Sequence, residues 1–423
     1  MYVQIFTGLS TAGQFGFQVS SDNETNVNGF SSQFISLFPG FCPVDNRPDI
    51  FVCQKTAEIE LRVSEFIDRY KENVPKIYEV YTFIKRQSNG AFFCILPYEL
   101  TSQREQVTLV DLLNAFEQNL DFEEVNKLTS QLFGAFLDSY HVFVYGPERA
   151  RIGEHHRGKR ICRFCKKDAM KTSFKKKAHA ISEALGNKNV AVLEECDSCN
   201  EKFGQTLERD IITYFSFYRT FYGVGGKEGV TSIVGKNFKL CREPELTLKY
   251  YKSEDDPEED DHLEIMNFRL KMHEKLSLQN IYKTLCKFFL SAVRDEFLPH
   301  FEETFKWLNG EILQHQLPKV GIWYSFEEFL TQPNILTVIR KSDDQEIPFA
   351  VGEFHFLFLR YVFILPCTNT DRFNYLSSDQ FEVFLNMFTH YRDMPGMKWL
   401  DLSNAEVKPF EFNFRMEPND SKT

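Results

Sequence analysis

What the chain lacks narrows its class before any motif is read. No run of eighteen uncharged apolar residues occurs, so nothing reads as a membrane-spanning helix. The opening MYVQIFTGLSTAGQFG has no basic stretch leading into a long apolar one, so no secretory leader is expected. Net positive charge is lacking too: the formal charge is −11, which argues against a protein coated in basic surface for nucleic acid. No internal repeat is evident. Cys42, Cys53, Cys94, Cys241, Cys286 and Cys367 are scattered without pairing logic, the pattern of a reducing compartment where a free thiol behaves as a small hydrophobe. A soluble, cytoplasmic protein without membrane association is therefore expected.

What is present is a chain of 423 residues, long enough for two or three domains and a sizeable core, with 44 phenylalanines to fill it. Residues 1–150 read as a mixed α/β domain. MYVQIF is a strand candidate, Ala91 to Leu96 another, and Ile59, Val63, Phe66 and Ile67 recur at helical spacing. Leu109 to Phe116 and Phe122 to Phe136 predict two further helices. No recognisable chemistry lies here, and the expected role is folding and partner binding. From Ser277 the apolar residues Ile281, Leu285, Phe288, Phe289 and Ala292 share a helical face, Leu317 to Phe363 alternates like strand, and a helix near Asp379 to Tyr391 precedes an irregular tail. Residues 277–423 thus read as an α+β domain.

Charge is distributed unevenly. Between Arg151 and Lys177 eleven basic residues face two acidic ones, a local +9 that leaves the remainder at −20. Polyanion binding is thereby confined to one place. Opposite in sign, Glu254, Asp255, Asp256, Glu258, Glu259, Asp260 and Asp261 mark residues 241–276 as an acidic linker, with masking of the basic patch as an alternative role. His155 and His156 sit in a basic connecting loop and read as exposed. The glycines of GVGGKEG read as a flexible turn rather than a phosphate cradle.

The chemistry concentrates between Ile161 and Asn200. CRFC and ECDSCN place Cys162 with Cys165, and Cys196 with Cys199, on two tight turns separated by 30 residues. Two such pairs complete a tetrahedral zinc shell, which reads as a closed structural site holding something with its own structure between the turns. That insert contains His179. The order Cys-x-x-Cys, His179, Asn189, Cys-x-x-Cys-Asn200 resembles the HNH endonucleases of the ββα-metal superfamily over about residues 161 to 210. SLQNIYKTLCKFFLSAV with FKWLNG after it is similar to the segment beyond the zinc module in other bacterial HNH proteins.

The resemblance implies an α+β multidomain chain in which a zinc-stapled ββα-metal module, residues 151–240, is flanked by the two other domains. It further implies His179 as general base, Asn200 as ligand to a catalytic magnesium or manganese, and Asn189 as the residue that fixes the loop between them. One position departs from the pattern. Many HNH sequences place a ligating Asp, Glu or His just before the base, where this chain has Ala178. Either Asn200 suffices, since magnesium keeps several waters, or Glu208 or Glu183 supplies the missing oxygen. Asn200 is also a candidate helix N-cap, and Asn189 a plain turn residue.

The expected partner is nucleic acid, DNA ahead of RNA, contacted by Arg163, Lys166, Lys167, Lys175, Lys176 and Lys177. A protein partner would dock through the N- or C-terminal domain. A role in bacterial defence rests only on family analogy. The rival reading is a catalytically silent zinc module that binds nucleic acid or protein, which Ala178 favours. A hydrolase with catalytic zinc fits less well, because four thiolates leave no open position.

Overall fold

The computed structural model describes residues 2–8, 14–19, 24–38, 42–44, 47–72, 74, 76–146, 149–242, 244–251 and 266–416. Two compact units result, Met1–Ser139 and Tyr140–Thr423. The acidic run from Glu254 to Asp261 lies outside the described residues.

The first unit is built on a five-stranded antiparallel sheet in the order Gln14–Gln18, Tyr2–Phe6, Phe92–Leu96, Arg47–Gln54, Cys42–Val44. Successive strand side chains point to opposite faces, so Val3 and Ile5 enter one core and Phe6 the other. Helices Ala57–Tyr70 and Ile77–Arg86 cover the first face, and Gln103–Gln118 supplies Leu109, Leu112 and Leu113 to the second. Burial on both faces explains why the central strands read as apolar runs.

The second unit carries a six-stranded antiparallel sheet in the order Lys398–Leu400, Val320–Tyr324, Leu359–Ile364, Ala350–Leu357, Leu330–Arg340, Tyr140–Tyr145. Its last strand comes from the stretch that sequence assigns to the first domain. The apolar run FHFLFLRYVFIL is two strands rather than one, because the chain reverses at Leu357 and Phe358 with Phe356 opposite Leu359. Leu357 takes a positive φ of 56° to make that turn.

Helix Leu278–Ala292 lies against this sheet, Phe288 meeting Phe354 at 5.5 Å between ring centroids. On its other side it meets helix Leu207–Tyr214, and one continuous core joins Cys162, Phe164, Phe203, Leu207 and Ile211 to Phe288, Phe354 and Tyr361. The zinc segment is thus built into the second unit's own core. Two expectations are corrected outside it. In the stretch read as an acidic linker, Thr247–Tyr250 and Met266–Leu276 are strands, and the tail expected to be irregular forms Lys408–Met416, paired antiparallel with Met266–Leu276. Aromatic residues in that last strand, Phe410 and Phe412, pack on Leu270 and Met272, which gives the tail a reason to order.

Gly352 shows how tightly the sheet is filled: a Cβ there would stand 2.3 Å from the Phe363 ring, itself 1% exposed. A Gly352→Ala variant is expected to lose roughly 1–3 kcal/mol through overpacking. All three tryptophans, Trp307, Trp323 and Trp399, belong to the second unit. A urea titration followed by tryptophan fluorescence would therefore show an earlier midpoint for that unit alone.

Candidate active site

The two cysteine turns are shaped locally. In the first, the Lys166 amide donates to the Cys162 carbonyl and the Cys162 amide to the Lys167 carbonyl, both at 2.8 Å, with Lys166 at a φ of +59°. In the second, Cys196 is the N-cap of helix Asp197–Gln205, so Cys199 lies in its first turn. The four sulfurs lie within 4.8 Å of one another, and Cys165 Sγ is 3.7 Å from Cys196 Sγ. A tetrahedron with zinc–sulfur bonds of about 2.3 Å has edges of about 3.8 Å, so the donor set fits zinc. A bond from the Cys199 thiol, helped by the Cys196 amide, holds Cys162 down at about 5, while burial pushes Cys165 up to about 11. Among the described residues this is the cluster of His, Cys, Asp and Glu side chains able to hold a metal.

Between the turns the chain makes a small hairpin. Ala178–His179 pairs antiparallel with Val190–Val192, which pairs in parallel with Ala150–Ile152 on its far side. Asp197 fastens this hairpin to the zinc helix by accepting from Ser173 Oγ at 2.6 Å and from the Lys175 and Lys176 amides at 3.1 and 2.8 Å. Burial alone would raise the Asp197 carboxyl, but these bonds together outweigh it and lower it. The loop between the strands is tied by Asn187. Its Nδ2 donates to the Ile181 and Val190 carbonyls and its Oδ1 accepts from the Asn189 and Val190 amides. Asn187 thus ties the loop alongside Asn189, which is half-buried, donates its amide to Asn187 Oδ1 and accepts from the Ala150 amide at 3.3 Å.

His179 presents a side chain 10% exposed. Its Nδ1 is enclosed with no hydrogen-bond partner among the described residues, and its Nε2 lies 3.8 Å from Glu183 Oε2. Burial, reinforced by the Lys177 charge, lowers its pKa below the ordinary imidazole value. Asn200 lies inside the first turn of the zinc helix, half-buried, its amide donating to Cys196 O at 3.0 Å. It is not the N-cap.

Beneath the hairpin lies a charge cluster that spacing gave no means of finding. Lys287, fully buried on helix Leu278–Ala292, has its ammonium 2.9 Å from Glu208 Oε1, 3.1 Å from Glu195 Oε2 and 3.3 Å from the His179 carbonyl oxygen. Burial alone would depress this lysine, but the two carboxylates outweigh it and raise its pKa. Glu195 is within ion-pair distance, yet neither of its oxygens has an aligned donor, and burial pushes its carboxyl up to about 7. Glu208, the further candidate ligand, therefore has one oxygen committed to Lys287. The one available signal was a lysine in KFFL, inside a helix otherwise apolar on that side.

The basic residues divide. Arg163 is corrected as a nucleic-acid contact: it is 2% exposed, donates to the Leu290, Ser291 and Val293 carbonyls, and pairs with Glu194 and Asp295. It caps the end of helix Leu278–Ala292. Lys166 lies over the Phe305 ring at 4.4 Å beside the cysteines, with Lys167 exposed next to it. Lys175, Lys176 and Lys177 are exposed on the approach to His179, Lys176 pairing with Glu201 at 3.1 Å and Lys177 donating to Lys188 O. His155 and His156 are exposed, as expected.

Residues 162–216 match the family model described as HNH endonuclease. The chain carries an HNH segment. No curated protein and no solved structure matches it significantly. The match spans both cysteine pairs, the hairpin and the zinc helix, and indicates a nuclease-type hydrolase acting on nucleic acid. Lys287 and the helix that carries it lie beyond its end.

The protein should bind about one zinc per chain, and Cys199→Ser should reduce that to near none, read by metal analysis. Arg163→Met should cost roughly 3–5 kcal/mol by leaving buried acceptors and a carboxylate unpaired, read as a lower unfolding midpoint.

Proposed function

We propose that this protein is a metal-dependent HNH endonuclease that hydrolyses phosphodiester bonds, in DNA before RNA, with His179 as general base and Asn200 as ligand to magnesium or manganese. The observation that carries it is the half-enclosed His179 imidazole, kept neutral by burial, on a hairpin fastened to the helix that presents Asn200. Asn200 has no side-chain hydrogen bond among the described residues, which leaves its amide oxygen available to a hard cation. Ala178 is buried and offers no ligand atom, so the remaining positions would fall to water and substrate phosphate. Bound there, the cation would supply charge neutralisation at the phosphate and the departing oxygen.

The residues divide the remaining work. In the tautomer whose lone pair is at Nε2, the neutral imidazole takes a proton from the attacking water there. Glu183, 3.8 Å from Nε2, steadies the imidazolium that forms. Lys175, Lys176 and Lys177 hold the flanking phosphates. A place in defence against foreign DNA rests on family analogy alone. Ala178 also favours a second reading, a silent zinc module that binds nucleic acid or a protein without cutting.

Incubation with plasmid and magnesium or manganese separates them. Cleavage is expected, and His179→Ala should abolish it at unchanged zinc content; no cleavage of any DNA or RNA would overturn the nuclease reading and support the binder. Because burial and Lys177 depress the His179 pKa, the acid limb of kcat/KM should fall below the ordinary value of about 6.5, and Lys177→Gln should move it upward. Replacing Lys175, Lys176 and Lys177 by Gln should flatten the dependence of log affinity on log salt by about 0.9 for each duplex phosphate no longer neutralised.

A further inference from the structure

A general base is ordinarily oriented by a hydrogen bond to its second ring nitrogen. In His179 that bond is missing: Nδ1 is enclosed and has no partner among the described residues. Ring orientation must then come from packing and from the backbone that carries the ring. That backbone is paired on one side with Val190–Val192, and the His179 carbonyl is held in addition by Lys287, 3.3 Å from its Nζ.

Lys287 sits in a helix in which twelve of fifteen residues are buried, a costly place for an ammonium unless its donors are met. Two carboxylates at ion-pair distance and one accepting carbonyl face it from three directions. Glu208 belongs to helix Leu207–Tyr214, Glu195 immediately precedes a zinc-site cysteine, and His179 is on the hairpin. One buried cation, contributed by a helix outside the HNH segment, thus joins the zinc turn, the following helix and the strand bearing the base.

We propose that Lys287 is the positioning residue of this site, holding the His179 carbonyl and through it the imidazole. The proposal rests on the reading of His179 as general base. Lys287→Met alone would strand two buried carboxylates, so the variant of choice is Glu195→Gln, Lys287→Met, Glu208→Gln combined, which removes all three charges together. Three quantities are compared with wild type in the full chain: zinc content, amide hydrogen exchange of residues 178–181, and kcat and KM on a plasmid substrate with manganese.

The expected result is retained zinc, exchange at residues 178–181 faster by about tenfold with residues 207–214 unchanged, and kcat lower by about 10²-fold at unchanged KM. A purely structural cluster would leave kcat per zinc-loaded molecule unaltered. Wild-type kcat and exchange in the triple variant overturn the proposal. Should that variant fail to fold, wild-type exchange decides: residues 178–181 protected as well as helix Leu278–Ala292 support the tether, and much faster exchange there overturns it. If wild type cuts nothing, the nuclease reading falls, while the exchange comparison still decides whether Lys287 holds the strand.

Discussion

Four sulfur atoms set the geometry on which the site depends. Bringing Cys162 and Cys165 against Cys196 and Cys199 closes a loop across 30 intervening residues, a loss of chain freedom that a bound zinc would offset. Because Cys196 is also a helix N-cap, closing the cluster fixes the start of helix Asp197–Gln205 and with it the direction of Asn200. Asp197, next in sequence, then fastens the strand leading to His179. Sulfur geometry, helix start and hairpin are therefore successive consequences of one constraint.

The cluster does not make an independent module. Phe164 packs edge-on against Phe203 and Phe305, and Asn309 Nδ2 donates to the Phe164 carbonyl. Arg163 caps helix Leu278–Ala292 from the zinc side, while Lys287 on the same helix reaches back beneath the hairpin. Two buried cations thus cross between the segments in opposite directions. Each faces carbonyls and carboxylates whose charge or lone pairs it offsets, so the HNH segment and the sheet behind it are one folding problem.

How much of this is legible in the sequence depends on the range of the interaction. The cysteine cluster follows from spacing and the helix that carries Asn200 from apolar periodicity, both local patterns, while the hairpin with His179 is expected only from the family resemblance. Helices such as Ala57–Tyr70 and strands such as Phe92–Leu96 follow from periodicity for the same reason. Other features are not local. Whether Asn187 or Asn189 turns inward depends on which side chain meets the Ile181 carbonyl, and composition does not distinguish the two. Arg163 reads as part of a basic run, and only its contacts 127 to 132 residues away reveal a buried cap. The strand Lys408–Met416 carries a strand signal in the alternation of Phe410, Phe412 and Phe414, but its partner Met266–Leu276 is more than a hundred residues away and is not indicated by that pattern.

The same separation of local from distant effects resolves the basic stretch. A zinc held by four thiolates carries a net charge of about −2. Lys166, Lys167, Lys171 and Lys202 line a hollow of about 620 Å³ beside the cysteines, where their charge offsets the thiolates. On the zinc helix, successive residues turn by about 100°, so Ser198 and Lys202, which line that hollow, face about 160° away from Asn200. The hollow and the Asn200 face are thus on opposite sides of one helix. Of the eleven basic residues between Arg151 and Lys177, Arg163 is buried as a helix cap and Lys166, Lys167 and Lys171 stand beside the sulfurs, while Arg151, Arg157, Lys159 and Arg160 precede the first cysteine turn and Lys175, Lys176 and Lys177 lead into the strand of His179. The positive charge of a strongly acidic chain is thus divided by its surroundings into a buried cap, a set that offsets the thiolates and a largely exposed remainder on either side of the first cysteine turn.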